Sequence, residues 1–229
     1  MLIARGARET PALRDVIEAA SRARLEIREV TREELDELAQ EHRGVVARVR
    51  PPRTFGEREL AERPFDEDAI VVVLDGIEDP QNLGAAARAA EAAGASALVS
   101  RTRRSADVTE AAIRASAGAL LHLPHARVAN LARALNRLKD ADFTVAGLDE
   151  RAERSVYDEP APAGRLALVL GSEGEGMARL TREACDVLVS LPMRGQVGSL
   201  NAATSLAAVL YAWVLPSRRR PGSRPAAGT

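Results

Sequence analysis

From residue 69 onward, short runs of continuous apolar residues alternate with longer amphipathic stretches. The runs Ile70–Leu74, Ala97–Ser100, Leu121–Pro124, Phe143–Leu148, Leu166–Leu170 and Val187–Leu191 read as strands. Between and after them, Pro80–Ala93, Val108–Ala117, Val128–Lys139, Met177–Ala184 and Asn201–Leu215 carry helical spacing. Strands without polar alternation are buried on both faces, so this pattern predicts a largely parallel sheet with helices on either side. Asp79 and Pro80 fit an N-cap and first helical position, and Gly94 fits the position after a last turn.

Residues 1–50 have a different texture. A strand at Met1–Ala4, a helix over Pro11–Arg22, a strand near Leu25–Val30, a helix from Thr31 and a strand over Val45–Val49 predict a small α/β unit. Thr31 with Glu34 forms a capping-box pattern ahead of Leu35 and Leu38. With so few large apolar residues its core is marginal, and an opening already in a strand reads as a unit clipped at its start. Residues 51–68, with Pro51, Pro52 and Pro64 among acidic residues, read as a linker. Residues 69–215 form the main domain, and 216–229 a basic, disordered tail.

Composition narrows the class. The 229 residues are 46% apolar, and no run approaches the ~20 needed to cross a bilayer. No signal peptide is evident, and one cysteine, Cys185, fits a reducing cytoplasm and reads as a small buried hydrophobe. The net charge of -1 excludes no partner class, because opposite charges can segregate on different faces. Arginines cluster at Arg101, Arg103 and Arg104, and again at Arg218, Arg219, Arg220 and Arg224. Lys139 is the only lysine, a bias that the alanine abundance ascribes mainly to codon usage.

Three strand-end stretches hold candidate chemistry. In the first, Asn82 falls in the first turn of the 80–93 helix, and Arg88 stands six residues on among alanines. From spacing alone, a structural ion pair for Arg88 stands slightly ahead of a ligand contact. The second, Leu166–Leu180, ends a strand in Gly171, Gly174 and Gly176, an order unlike the dinucleotide fingerprint and lacking a P-loop lysine. Glu173 and Glu175 would repel a pyrophosphate but tolerate a cation, which suits an adenosine-type ligand with a positive centre. The third, Ser190–Trp213, passes from strand through a small, polar loop into an alanine-rich helix with Asn201 at its N-cap. His122 and His125, read on one strand, are taken as structural.

Together, N-L-G-x-x-x-R at Asn82–Arg88, L-G-S-E-G-x-G at Leu170–Gly176 and L-P-M-x-G-x-V-x-S-L-N at Leu191–Asn201 resemble the three motifs of the SpoU/TrmH branch of the SPOUT RNA methyltransferases. Ala115-Ser116-Ala117-Gly118-Ala119 lies between the first and second, as in that family. The segment His42–Ala47 is similar to the end of the small substrate-binding domain of the subgroup that methylates a guanosine ribose in large-subunit ribosomal RNA, with Arg43 where a glutamine is usual.

The resemblance implies an α/β fold with a SPOUT-type parallel sheet, a C-terminal trefoil knot that breaks the usual rule against threaded chains, and a small N-terminal α/β substrate-binding domain. It implies a cytoplasmic, homodimeric enzyme that transfers a methyl group from S-adenosylmethionine to a ribose 2'-hydroxyl of RNA, with 23S ribosomal RNA as substrate. Transfer RNA, or a non-catalytic RNA-binding or ribosome-assembly role, are the alternatives. Arg88 is carried over as catalytic, with Asn82, Glu173, Ser199 and Asn201. Leu170, Gly171, Gly174, Leu191, Met193, Ser199 and Leu200 are carried over for the cofactor, with no metal. Arg43, Arg101, Arg103 and Arg104 are assigned to RNA, and the helix after Asn201, with Leu206, Val209, Leu210 and Trp213, is divided between core and dimer interface.

Overall fold

The structure, a computed structural model, describes residues 1–39, 42–50, 52–158, 160–196 and 198–218. The chain divides into two compact units, residues 1–50 and 51–229.

In the first unit, β1 (Leu2–Ala4) pairs in parallel with β2 (Arg28–Val30) and antiparallel with β3 (Val45–Val46). Helix α1 (Pro11–Arg22) starts where its residues dictate: the Thr10 hydroxyl accepts from the Leu13 amide, and Pro11 occupies the first turn. Helix α2 (Arg32–Asp36) carries the complete Thr31/Glu34 capping box. The core is small, with Ala4, Val30 and Leu35 at its centre.

The second unit holds a seven-stranded sheet in the order β10-β8-β9-β5-β6-β7-β4, with every neighbouring pair parallel. These strands are β4 (Thr54–Phe55), β5 (Ile70–Asp75), β6 (Ala97–Arg101), β7 (His125–Val128), β8 (Thr144–Leu148), β9 (Leu166–Gly171) and β10 (Val187–Val189). The helices are α3 (Glu57–Glu62), α4 (Pro80–Ala92), α5 (Glu110–Ala115), α6 (Leu131–Asp140), α7 (Arg179–Glu183) and α8 (Ala202–Val209). Helix α8 continues through a π-helical turn, Leu210–Val214, into a last helical turn. Alternate residues of the central strands feed two cores, as the period of two requires. Val72, Leu74, Leu168 and Leu170 pack in one core with Leu83, Ala87, Leu206 and Trp213. Val71, Val73, Ala167 and Val169 pack in the other with Leu60, Leu131, Leu135 and Leu138.

Small residues let helices approach closely. A Cβ on Gly84 of α4 would fall 2.4 Å from the Ala112 carbonyl oxygen and 2.6 Å from the Ala115 Cβ. The Leu-Gly of the first motif and the Ala-Ser of the Ala115–Ala119 stretch are thus two sides of one contact between α4 and α5.

Three expectations are corrected, and one left open is decided. The 51–68 segment is no linker: β4 joins the sheet beside β7, and Leu60 of α3 is buried. Glu57 of α3 accepts two hydrogen bonds from Arg133, which hold its carboxyl below the usual range. The strand expected at Leu121–Pro124 begins at His125, because Ala119–Leu121 form a 3-10 turn that buries Leu120. This places His122 off the strand. His125 is buried against the Ser100 hydroxyl at 2.8 Å, and burial pushes its imidazole down to about 4. Leu206, Val209, Leu210 and Trp213, open between core and interface on sequence, are buried in the core.

Lastly, the expected tail is fixed at its start. The Ser217 hydroxyl accepts from the Ala161 amide, and Arg218 donates to the Asp68 and Gly164 carbonyls. Arg219, Arg220 and Arg224 lie outside the described residues.

Candidate active site

Parallel strands gather their carboxyl ends along one edge, and ligands bind there where the chain's order across the sheet reverses. Here β5, β6 and β7 run in sequence to one side, while β8 starts again on the other and β9 fills the place beside β5. The loops following β8, β9 and β10 enclose a cleft of about 320 Å³ at that edge, within the size range of small-molecule sites.

Every residue carried over for the cofactor lines it: Leu170, Gly171, Gly174, Leu191, Met193, Ser199 and Leu200. Its wall also includes the carboxylates Glu173 and Glu175 and the guanidinium groups of Arg151, Arg179 and Arg182. The wall between Ser172 and Gly176 is a tight reversal closed by two backbone hydrogen bonds, with Glu173, Gly174 and Glu175 at its tip. Gly174 and Gly176 have φ of +83° and +70°, the left-handed region where a side chain is strained.

Three of the predicted polar residues meet. The Glu173 Oε1 accepts from Asn82 Nδ2 at 3.0 Å, from Asn201 Nδ2 at 2.8 Å and from the Ala202 amide at 3.2 Å. Asn201 Nδ2 also donates to Asn82 Oδ1 at 2.8 Å. The other end of the same amide, Asn201 Oδ1, accepts from the Ala203 and Thr204 amides and so caps α8. Asn201 is therefore a cap and a site residue at once.

Arg88 is not in this group. It is exposed on α4, about 9 Å along the helix axis from Asn82 at the rise of an α-helix. Among the described residues it has no ion pair or side-chain hydrogen bond, so the structural pair favoured from spacing is absent.

The arginines assigned to RNA separate into two kinds. Arg103 and Arg104 are exposed in the turn after β6, and Arg43 is exposed at φ +50° beside His42, whose ring is tied to Asp36 and the Gly44 amide. Arg101, by contrast, pairs with the buried Asp75 at 2.8 Å. Asp75 is the residue that sequence reasoning missed. Its signal was present: an apolar strand that ends on a carboxylate.

Cys185 lies against Gly147, and burial pushes its thiol up to about 12, so it stays protonated and unreactive. Among the described residues, no group of three or more His, Cys, Asp or Glu is placed to hold a metal ion, and no helix is long and apolar enough to cross a membrane.

Comparison with known proteins gives this edge of the sheet a context. The profile of the SpoU rRNA methylase family matches residues 69–211, and that of the RNA 2'-O ribose methyltransferase substrate-binding domain matches residues 1–55. The chain belongs to the SpoU rRNA methylase family.

Within it, 23S rRNA (guanosine-2'-O-)-methyltransferase RlmB of Salmonella typhi is 39% identical over 212 residues, covering 89% of this chain and 85% of that one. The SpoU methyltransferase AviRb from Streptomyces viridochromogenes has a similar structure, with TM-score 0.76 and 29% identity over 95% of this chain and 81% of that chain. The same enzyme in complex with AdoMet gives TM-score 0.72 and 26% identity, over 94% of this chain and 81% of that one.

The cleft fits such a cofactor on its own chemistry. Leu170, Leu191, Met193 and Leu200 offer apolar surface to a purine, the Gly171–Gly176 loop lets backbone come close, and Glu173 and Glu175 supply negative charge for a sulfonium.

Proposed function

We propose that this protein is an S-adenosylmethionine-dependent RNA ribose 2'-O-methyltransferase acting on a guanosine of 23S ribosomal RNA. The observation that carries the reading is the similarity to RlmB, which runs through both units and leaves little of either chain outside it.

S-adenosylmethionine, when bound, supplies a methyl group activated by its sulfonium. Leu170, Gly171, Gly174, Leu191, Met193, Ser199 and Leu200 would hold the adenosine part. Glu173 is fixed through one carboxylate oxygen by Asn82, Asn201 and the Ala202 amide, which keeps the loop and the start of α8 in one arrangement. Arg88 then acts on the ribose. A guanidinium keeps its proton and is a poor base, but it holds a hydroxyl and stabilises negative charge growing on that oxygen. Its freedom from any carboxylate among the described residues suits that task.

The fold reading extends to a C-terminal trefoil knot, and the assembly to a homodimer in the cytoplasm. On α8 and its π-helical turn, Tyr211 is an exposed residue available to a partner copy, while Leu206, Val209, Leu210 and Trp213 are buried.

Incubation with methyl-labelled cofactor and unmodified 23S transcripts, beside unmodified tRNA, tests the substrate. Label on a guanosine 2'-oxygen of the 23S transcript is expected. Label only on tRNA overturns the substrate, and no label on either RNA overturns the activity.

A further inference from the structure

A second polar arrangement crosses the same sheet edge, separate from the Asn82–Glu173–Asn201 group. Asp75 ends β5 after five buried apolar residues and is itself 2% exposed. A buried carboxylate is costly unless both oxygens find donors. Here Oδ2 accepts from the Ala178 amide at 2.8 Å, and Oδ1 faces Arg101 Nη2 at 2.8 Å. Arg101 is braced in turn: its carbonyl accepts from Arg127 Nη2 at 3.3 Å, and Arg127 pairs with Asp107.

The place where Asp75 grips the chain gives it a use. Asp75 lies in register with Gly171 of β9, and residues paired across strands project to the same face. On that face a Cβ on Gly171 would fall 2.1 Å from the Gly176 carbonyl carbon and 2.3 Å from the Met177 nitrogen. The chain leaving the 172–176 loop therefore lies directly on the sheet. Gly171 makes room for it, and Asp75 secures it two residues later at Ala178. Ser172 and Gly176 close the loop's base, so fixing the exit strand fixes the tip, where Glu173 and Glu175 wall the cleft.

We propose that Asp75 and Arg101 are positioning residues for the cofactor cleft: Asp75 holds the exit of the 172–176 loop through the Ala178 amide, and Arg101 holds Asp75. This rests on the cleft being the S-adenosylmethionine site. It also assigns Arg101 to the cleft rather than to an RNA phosphate.

The test is calorimetric titration of S-adenosylmethionine into the full-length wild type and the variants Asp75→Ala, Asp75→Asn, Arg101→Ala and Arg101→Lys, with methyl-transfer kinetics and thermal unfolding on each. Loss of a charge-assisted hydrogen bond to the loop is expected to raise the cofactor Kd and KM of Asp75→Ala by about tenfold or more. Its kcat at saturating cofactor should stay within about threefold of wild type, the pattern of lost uniform binding. Asp75→Asn keeps an acceptor for the Ala178 amide but turns an NH2 toward Arg101, and should fall in between. Arg101→Lys should recover part of what Arg101→Ala loses.

RNA affinity separates the two assignments of Arg101. Its alanine variant should keep the wild-type dependence of RNA binding on salt, whereas a phosphate contact would reduce that slope by about one. Wild-type cofactor affinity in both alanine variants, with or without lower thermal stability, overturns the proposal. So does a reduced salt slope with unchanged cofactor affinity in Arg101→Ala. If Asp75→Ala does not fold, Asp75→Asn and Arg101→Ala decide the matter by the same readouts. Absence of cofactor binding in the wild type instead overturns the reading of the cleft.

Discussion

The first and third turns of α4 present polar side chains in opposite conditions. Asn82, in the first turn, gives both ends of its amide to Glu173 and Asn201. Arg88, in the third, is exposed and has no carboxylate partner among the described residues. One end of the helix is committed to holding loops together, and the other presents an exposed charge with no carboxylate partner among the described residues. The same division separates Arg101, locked on Asp75, from Arg103 and Arg104 three residues along at most. A residue's type therefore does not disclose its task in this protein. The number of bonds it has already made is the better guide.

Substitutions that remove one condition and leave the other sharpen this contrast. The largest effect is expected from Arg88→Ala: loss of a donor that stabilises charge only in the transition state lowers kcat by about 10²- to 10³-fold. Because Arg88 has no ion pair or side-chain hydrogen bond to lose among the described residues, the unfolding midpoint and cofactor Kd should stay at wild-type values. Near-wild-type methyl transfer would remove Arg88 from the reaction. Next comes Leu35→Ala in the small unit, where a fully buried leucine serves a small core. It should cost about 2–5 kcal/mol of local stability, seen as faster hydrogen exchange in 1–50, with cofactor affinity in the second unit unchanged.

Glu173→Ala should reverse the Arg88 pattern. Leaving two amide groups and the Ala202 N–H without their acceptor costs about 1–2 kcal/mol, discounted for an exposed site. It should therefore lower both the unfolding midpoint and the cofactor affinity, and a variant as stable as wild type would mean that the three-way contact adds nothing.

The effect that is smallest near neutral pH, and grows only on acidification, concerns titration. His125 is held neutral by burial, with its pKa at about 4 against an ordinary value near 6.5. The unfolded chain takes up the proton first, so stability falls as pH drops from about 6.5 to about 4, with a slope that stays below about 1.4 kcal/mol per pH unit. Denaturant unfolding of His125→Gln across that window should show a flatter pH dependence than wild type, and equal slopes would place the titration elsewhere.

How much was legible in the sequence follows from the range of each interaction. Helix α1 could be read to its ends because its start is set locally, by Thr10 and Pro11. The strand β7 was misplaced because Leu120, Leu121 and Leu123 make an apolar run just ahead of it. Leu120 and Leu121 belong to a 3-10 turn whose shape depends on packing and Leu123 follows it, with Leu120 and Leu123 buried and Leu121 37% exposed. The proline-rich segment hid β4 and α3, whose pairing with β7 and contact with α6 lie far along the chain.

At the site, the resemblance named Asn82, Glu173 and Asn201, but their meeting spans separations of 91 and 119 residues that no local pattern carries. Spacing misjudged Arg88, because an arginine among alanines signals an ion pair only if an acidic residue packs nearby. Asp75 escaped notice for the converse reason: its partners, Arg101 and the Ala178 amide, are 26 and 103 positions away by the numbering.

The Arg218 contacts bear on how the protein yields to force. Its guanidinium joins the Asp68 and Gly164 carbonyls, just ahead of two neighbouring central strands, β5 and β9. Tension applied from the C-terminal end meets this fastening, and the Ser217 hydroxyl accepting from Ala161, before it reaches α8. An ATP-driven unfoldase engaging that end would have to strip an arginine from two backbone oxygens before the helix that begins at the cleft began to unwind. The load thus falls first on the side of the sheet opposite the loops that line the cleft.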